Sequence, residues 1–304
     1  MRVSKGVYYG LAAAFCFGMM PVWAKLAYGA GLDPLALVML RTLMAGIVLL
    51  AFFATKRRVP RIDRAAWRTV AGTCCLYAAM MISYFTACQN LDSGVANALF
   101  HLYPVIVMVL TAVLRRSELG AGKWVAAALA VAGFVLLANY GGGVVSARGI
   151  ALVSAAAVLF ACYSLMLDTP RISAVDPFVL TFYVCIASCV ASSALWLLSG
   201  PGSAMITLPG LGYALLIGLF STVFALALYI MGTRQLGSAV ASMLSNAEVV
   251  VTLLAGVLVL GETVEASTVA GCVLIVLACV LVCVRGHEWR KPDTAEEGKR
   301  HVGI

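Results

Sequence analysis

Charged residues are scarce in this sequence. They make up 11% of its 304 residues, whereas 63% are hydrophobic and the mean hydropathy is +1.01. An ordinary soluble domain carries about 25% charged residues, so the composition excludes a soluble globular protein and indicates a polytopic membrane protein. The net charge of +8 does not indicate nucleic-acid binding, because the basic residues lie in short loops and a tail, where they orient a membrane protein.

Sequence motifs of enzymes and metal sites are also missing. The chain has neither a nucleotide-binding Gly-Lys-Ser/Thr loop nor a His-Glu-x-x-His motif. Its ten cysteines lie in or at the ends of apolar segments, with Cys185 and Cys189 one helical turn apart, and none shows the paired spacing of a zinc site. A lipid-modifying membrane enzyme would need a cluster of catalytic polar groups at one interface, and the sequence shows none. We therefore predict no enzymatic activity, no cofactor and no metal.

Apolar segments, by contrast, are long and numerous. A transmembrane helix needs about 20 apolar residues, and ten segments approach that length, with loops too short to hold a soluble domain. We predict an all-α membrane protein with ten transmembrane helices. The predicted spans are approximately Val7–Tyr28, Pro34–Thr55, Thr69–Ala87, Val95–Leu114, Trp124–Tyr140, Ile150–Leu167, Pro177–Leu198, Leu211–Met231, Val240–Leu260 and Ala266–Val284.

The distribution of Lys and Arg predicts the orientation in the membrane. Nearly all of them fall on one side of the ten predicted spans, and only Lys25 and Arg148 lie near the other side. Loops rich in Lys and Arg stay in the cytoplasm, so both termini are predicted to be cytoplasmic in a cell inner membrane. The first apolar segment is longer than the core of a signal peptide, and we interpret it as a retained helix.

The second half of the chain repeats the first. A shift of 143 residues aligns the first two spans of each half, and a shift of 145 aligns the third and fourth. Because five spans per half is an odd number, the halves must be inserted in opposite directions, as in transporters with inverted repeats. We predict a first repeat at 1–143, a second at 144–285 and a cytoplasmic tail at 286–304. The matched residues include Phe17 with Phe160, Asp33-Pro34 with Asp176-Pro177, Tyr84 with Tyr229, and Val95-Ala96 with Val240-Ala241.

Polar side chains interrupt the apolar ninth span and its counterpart, the fourth. Glu248 has apolar neighbours on both sides, and the shift of 145 places His101 and Tyr103 where Asn246 and Glu248 stand. A carboxylate at the centre of a bilayer costs about 2.5–3.5 kcal/mol, so it faces a protein interior or a wet cavity. Glu248 is therefore the leading candidate for substrate or proton binding, with a purely structural pairing to Asn246, Ser245 or a helix end as the alternative. For His101 the alternatives are proton coupling and a neutral hydrogen bond between helices.

Taken together, these features resemble the drug/metabolite transporter superfamily, in particular its EamA-like bacterial members with ten helices. The resemblance covers Tyr8 to about Val284. It rests on Phe17-Gly18, Lys25, Asp33-Pro34, Arg41, Tyr103-Pro104, Glu118, Glu248 and Gly261-Glu262. The family commonly has Glu-Pro in the ninth helix, whereas this chain has Glu248-Val249. Because the fourth helix keeps Pro104, we expect it to bend more than the ninth.

The resemblance also implies a central cavity lined mainly by the first, third, fourth, sixth, eighth and ninth helices. The candidate cavity residues are Glu248, His101, Asn246, Tyr103, Trp23, Tyr84, Asn97, Tyr163 and Tyr229. For any single aromatic or polar residue of this set, packing or anchoring at the membrane interface is the alternative. Lys25 either extends to the membrane surface or attracts an anionic substrate. Arg41 either extends outward, pairs with a carboxylate or a helix end, or contacts the substrate.

The predicted function is secondary active transport of small organic metabolites or drugs by alternating access, with export as the favoured direction. The expected partners are the lipid bilayer and a small-molecule substrate, with protons as a candidate coupling ion. No nucleic acid is expected, and the oligomeric state stays open. The alternatives are a passive facilitator and a membrane-embedded protein that transports nothing. Members of the family carry amino acids, sugars, nucleotide sugars, metabolites and drugs, so the resemblance does not identify the substrate.

Overall fold

Helices account for all regular structure in the part of the chain that the computed structural model describes, which is residues 2–88, 96, 99–115, 121–138, 146–198, 205–261 and 266–285. Asn97, Glu118 and Glu262 lie outside the described residues, as does the tail at 286–304. The first half contains α1 (Arg2–Gly18), α2 (Met20–Gly29), α3 (Pro34–Thr55), α4 (Arg64–Cys88), α5 (Tyr103–Arg115) and α6 (Ala121–Ala138). The second half contains α7 (Ala147–Leu167), α8 (Pro170–Ser173), α9 (Pro177–Leu198), α10 (Leu208–Leu216), a π-helical segment (Ile217–Phe224), α11 (Ala225–Leu236), α12 (Ser238–Ser245), α13 (Ala247–Leu260) and α14 (Ala266–Arg285).

Seven helical stretches of the described residues are long and apolar enough to cross a membrane, and shorter apolar helices accompany them. The shorter helices are Tyr103–Leu114, Trp124–Leu136 and Val269–Leu281, at the places of the fourth, fifth and tenth predicted spans. Large apolar side chains stand on the outer surface; Leu198 is 85% exposed and Leu258 is 82% exposed. A large apolar surface of this kind is expected where a protein contacts lipid. The prediction of an all-α multi-pass membrane protein is confirmed.

The repeated Asp-Pro pair begins the second helix of each half. Asp33 Oδ1 accepts the amide N–H of Ala36 at 2.7 Å, and Asp176 Oδ1 accepts that of Phe178 at 2.9 Å. Aspartate is a strong N-cap, and proline is favoured at the first helical position because its missing N–H has no intrahelical partner there. The predicted ends of these two spans agree with α3 and α9.

The fourth and ninth spans are interrupted at equivalent positions. A turn beginning at His101 precedes α5, and a turn at Asn246 separates α12 from α13. Pro104 explains the first interruption, since proline removes a helical hydrogen bond. The ninth span has no proline, but Ser245 Oγ donates to the carbonyl of Ser242 at 2.7 Å, and such bonds to the preceding turn bend helices. We expected the fourth helix to bend more than the ninth. Instead, both spans are interrupted at matched positions, the fourth beside a proline and the ninth beside a serine.

Equivalent helices of the two halves pack against each other. At one end of the α3–α9 pair, Trp196 Nε1 donates to Asp33 Oδ2 at 3.5 Å. At the other end, the rings of Phe52 and Phe178 lie 5.6 Å apart, so the two helices run in opposite directions. α6 and α14 form another close pair, α4 packs on α7, and α1 packs on α11. Further contacts, of α1 with α12 and α13 and of α5 with α7 and α12, group these five helices together inside the bundle.

Candidate functional site

A cavity of about 80 Å³ lies between the two halves of the chain, and this volume is large enough for several water molecules. Its charged lining residues are Arg41 and Glu248, and its aromatic lining residues are Phe17, Tyr77, Tyr84, Phe100, Tyr103 and Phe160. A mostly apolar cavity with a few converging polar groups is typical of a site for a small organic molecule. Among the described residues, no three His, Cys, Asp or Glu side chains are grouped so as to hold a metal ion.

Glu248 reaches this cavity from the first turn of α13, directly after the interruption at Asn246. The positive end of the helix dipole at an N-terminus favours a negative charge there. The Glu248 side chain is 16% exposed, and its Oε1 lies 3.8 Å from Nε2 of His101, which is 1% exposed. The His101 ring stacks on Phe134 of α6 at 5.5 Å. The two residues that the sequence singled out in the fourth and ninth spans therefore approach each other inside the protein.

A hydrogen bond joins the two interrupted spans. The hydroxyl groups of Tyr103 and Ser245 are in hydrogen-bond contact, and both residues are buried. The Tyr103 ring also meets Phe160 edge to face at 4.6 Å. Asn246 is completely buried beside this contact, and its side-chain Oδ1 and Nδ2 have no hydrogen-bond partner among the described residues. The polar residues of the ninth span thus face the protein interior, although Asn246 is not part of the cavity lining.

The sequence left the direction of the Arg41 side chain open, either outward to the membrane surface or inward to a partner or the substrate. It is 4% exposed and lines the cavity together with Glu248. Its Nη1 donates to Met20 Sδ at 2.8 Å, and its Nη2 donates to Met81 Sδ at 3.3 Å. The side chain therefore points into the bundle and does not extend to the membrane surface. The sequence did contain one indication of this inward direction: Arg41 lies within an apolar span, where an ionisable residue usually faces the bundle interior.

Aromatic rings continue from the cavity toward the side of the bundle where α1 begins. Tyr84 and Phe100, at the cavity, lie 4.9 Å apart. Beyond Phe160, the rings of Tyr163 and Tyr229 lie 5.6 and 5.9 Å from the Phe160 ring, and both tyrosines are fully buried. Tyr84 therefore lines the cavity, whereas Tyr163 and Tyr229 form a packed layer beside it.

Two polar side chains, Asp168 and Arg234, hold the chain together on the side of this packed layer. Asp168 Oδ2 accepts the amide N–H of Ser238 at 2.9 Å. Arg234 Nη2 donates to the carbonyl of Ile172 at 3.2 Å and also to that of Val175. These contacts join the segment after α7 to the end of α11 and the start of α12. They close the bundle on the side where α1 begins.

Trp23 and Lys25 lie away from the cavity lining. The Trp23 ring packs on Phe220 at 5.8 Å, within an apolar cluster formed by α2, α3 and α10. Lys25 is exposed near the end of α2. Of the sequence-predicted set, Glu248, Tyr103 and Tyr84 line the cavity, and His101 contacts it through Glu248.

The fold and the cavity define the class of protein. It is a multi-pass helical membrane protein with a small amphipathic cavity between its two halves, which is the architecture of a transporter of small molecules. The EamA-like transporter family matches residues 4–139 and again residues 147–284. The chain therefore belongs to the EamA-like transporter family, and the predicted relation to the drug/metabolite transporter superfamily is confirmed.

Individual relatives agree with this assignment. The uncharacterized transporter YwfM of Bacillus subtilis (strain 168) is 28% identical over 294 residues, which cover 94% of this chain and 95% of that protein. The uncharacterized transporter YcbK of the same organism is 26% identical over 312 residues, covering 97% and 96%. A solved crystal structure superposes with a TM-score of 0.80 at 19% identity and covers 95% of this chain and 99% of the other. At that identity the likeness concerns the fold alone.

Proposed function

We propose that this protein is a secondary active transporter of small organic solutes, an exporter in the inner membrane, that works by alternating access. Its ten spans form two inverted five-helix repeats, 1–143 and 144–285, with both termini in the cytoplasm. The substrate binds between the halves, in the cavity that contains Arg41 and Glu248. The solute crosses the membrane chemically unchanged.

One observation carries this proposal: repeat-equivalent residues stand in different environments. Tyr163 and Tyr229 are fully buried, and the Tyr229 hydroxyl shares a hydrogen bond of 2.8 Å with Ser164. Their counterparts after the shifts of 143 and 145 residues, Met20 and Tyr84, are partly exposed and line the cavity. Related positions of the two halves are thus packed on one side of the bundle and open on the other.

Alternating access follows if the two halves exchange these environments. In an inverted repeat, each half can adopt the conformation of the other around a site that stays in place. Packing of Met20 and Tyr84 against their neighbours would close the present cavity, and separation of Tyr163 from Tyr229 would open the opposite side. The opposite directions of α3 and α9 support the inverted arrangement, and the double match of the family pattern supports the division into two repeats.

Glu248 and His101 form the proposed proton site. The distance of 3.8 Å between His101 Nε2 and Glu248 Oε1 places two ionisable groups beside each other at the cavity. A proton gained or lost there changes the net charge that the substrate meets. This change gives proton binding and substrate binding a direct electrostatic link, which is what coupled transport requires.

Transport by the purified protein in proteoliposomes tests the proposal. Vesicles with and without an imposed pH gradient are incubated with a broad mixture of metabolites and drugs, and mass spectrometry identifies the solutes that accumulate inside. We expect the wild-type protein to accumulate at least one solute and Glu248→Gln to lose that accumulation. The matched control is Asp63→Asn, because Asp63 is an exposed carboxylate in the loop before α4, and this variant should accumulate the solute as the wild type does.

The alternatives have their own outcomes in this experiment. Equilibration of a solute without accumulation, unaffected by Glu248→Gln, would identify a passive facilitator. Absence of any transport by a protein that still unfolds cooperatively on heating would indicate a membrane protein without transport activity. Either result would overturn the proposed mechanism.

A further inference from the structure

We propose that the loop between α3 and α4, together with the first turns of α4, binds the headgroups of anionic phospholipids. The basic loop surface defined here consists of six exposed residues: Lys56, Arg57, Arg58, Arg61, Arg64 and Arg68. The inference does not depend on the proposed transport function. Three features of the surface carry it: its concentration of charge, its fixed position beside the membrane, and the backbone conformation of Arg57.

The charges of the basic loop surface are concentrated and lack opposite charges from the protein. Six of the 21 Lys and Arg residues of the chain fall within residues 56–68, which contain one acidic residue, Asp63. In the described part of the chain, none of the six side chains forms an ion pair with a carboxylate. Clusters of about four to eight Lys or Arg directly beside a membrane-spanning helix are typical of binding to anionic lipids. A guanidinium also matches the geometry of a phosphate group, to which it can donate two parallel hydrogen bonds.

An aromatic pair places these charges at the depth of the lipid headgroups. The loop joins two helices that are long and apolar enough to cross the membrane, α3 and α4. Trp67, in the first turn of α4, is 49% exposed, and its ring meets that of Tyr183 of α9 edge to face at 5.6 Å. Trp and Tyr are enriched at the boundary between membrane and water. Arg64 and Arg68 are three residues before and one residue after Trp67, so that Arg64 lies on the same face of α4 as both of these residues.

Contacts with the rest of the protein hold the loop in place. The Tyr183 hydroxyl donates to the carbonyl of Pro60 at 2.9 Å, and the half-buried Ile62 side chain packs against the main apolar cluster. A loop that is already held in place has less conformational entropy to lose when it binds a ligand. The basic loop surface is therefore a preformed platform for a headgroup.

Arg57 has a backbone conformation that favours glycine. Its φ angle is 50°, which lies in the left-handed region. At the end of α3, its N–H donates to the carbonyl of Ala54, and the N–H of Arg58 donates to the carbonyl of Phe53. This pair of bonds is the Schellman motif, in which glycine is the usual residue at the place of Arg57 because a Cβ atom is strained there. Strained residues concentrate at functional sites, and binding of a lipid phosphate gives the arginine such a function.

Thermal unfolding of the purified full-length protein in detergent tests the assignment. Dioleoylphosphatidylglycerol, which is anionic, is compared with dioleoylphosphatidylcholine, which has the same acyl chains and no net charge, and with the soluble anion glycerol 3-phosphate. A ligand that binds the folded state raises apparent stability, so we expect the anionic lipid to raise the unfolding temperature at lower concentration than the other two compounds. Equal effects of the two lipids would overturn the assignment. An equal effect of glycerol 3-phosphate would identify a site for soluble anions and would also overturn it.

Paired variants locate the binding on the protein. The double variant Arg58→Gln, Arg61→Gln removes two charges from the basic loop surface. Its matched control, Lys5→Gln, Arg148→Gln, removes two exposed charges outside the surface. Each Lys or Arg near an anionic membrane surface strengthens binding about fivefold, so the first variant should bind the anionic lipid about 25-fold more weakly. The control should keep nearly the wild-type affinity, and an equal loss in both variants would show that net charge alone decides the binding and would refute the proposed surface.

Arg57→Gly separates lipid binding from folding. Glycine relieves the left-handed conformation, so the lipid-free variant should unfold at a temperature about 2–4 °C higher than the wild type. Its affinity for the anionic lipid should nevertheless fall about fivefold. A purely structural role of Arg57 would not produce these opposite effects. This variant also decides the question if the double variant does not fold, and undiminished lipid binding by Arg57→Gly would contradict the assignment.

Discussion

Replacement of Gly18 by alanine is expected to destabilise the contact between α1 and α13 beside the cavity. Gly18 is the last residue of α1, and Thr252 Oγ1 donates to its carbonyl at 2.9 Å. A Cβ atom at Gly18 would lie 2.6 Å from Cβ of Val251 and 2.7 Å from the carbonyl oxygen of Glu248. Because that oxygen belongs to the backbone of α13 and cannot rotate away, the two helices must move apart.

The expected cost follows from overpacking in well-packed protein interiors, which is about 1–3 kcal/mol. In domains of roughly 150–250 residues, 1 kcal/mol changes the unfolding midpoint by about 2–4 °C, so a fall of about 2–12 °C is expected. Alanine in a helix is about 1 kcal/mol more favourable than glycine, which opposes the cost of overpacking. Two control variants measure this helix effect alone. Gly46 and Gly72 are helical, and a Cβ atom at either would meet nothing within 4 Å, so their alanine variants should unfold at or above the wild-type temperature.

The assay is thermal unfolding in detergent, followed with a fluorescent dye that reacts with thiols as they become accessible. The buried cysteines Cys74, Cys185 and Cys272 report the loss of the packed helical core. An equal midpoint for Gly18→Ala and Gly46→Ala would refute the reasoning. It would mean that the first and ninth helices do not approach each other as closely as described.

The hydrogen bond between Tyr103 and Ser245 should give a coupling energy of about 0.5–1.5 kcal/mol in a double-mutant cycle of Tyr103→Phe and Ser245→Ala, measured by denaturant unfolding; a value near zero would contradict the contact. Tyr229→Phe leaves a buried serine hydroxyl without its tyrosine partner and should cost about 1–3 kcal/mol in the same assay. Arg234→Gln removes a donor to two backbone carbonyls and should lower the unfolding midpoint clearly. Arg171→Gln, which removes an exposed charge from α8, should change stability by no more than about 0.5 kcal/mol, and equal effects of the two arginine variants would argue against the role of Arg234.

Much of the fold could be predicted because its causes are local. The scarcity of charge places the chain in a membrane, and the bilayer thickness then sets the length of each helix. The two Asp-Pro pairs begin α3 and α9 through contacts within two or three residues, so their positions are readable without any knowledge of packing. The internal repeat aligned the fourth and ninth spans, and these are the two spans on which His101 and Glu248 approach each other.

Other features required the tertiary structure. The sequence by itself determined that Arg41 lies in a span, and the family resemblance implied that the helices of Trp23 and Tyr84 line a cavity, but neither showed which of these residues reaches it. Only the packing of α3 against its neighbours decided that the Arg41 side chain turns inward to Met20 and Met81. The interruption of the ninth span likewise depends on a hydrogen bond that the Ser245 side chain donates to the backbone carbonyl of Ser242 in the preceding turn. Hydropathy and local propensity act along the chain over a few residues, whereas the direction of one side chain in a bundle is decided by the shapes of helices that are distant in sequence.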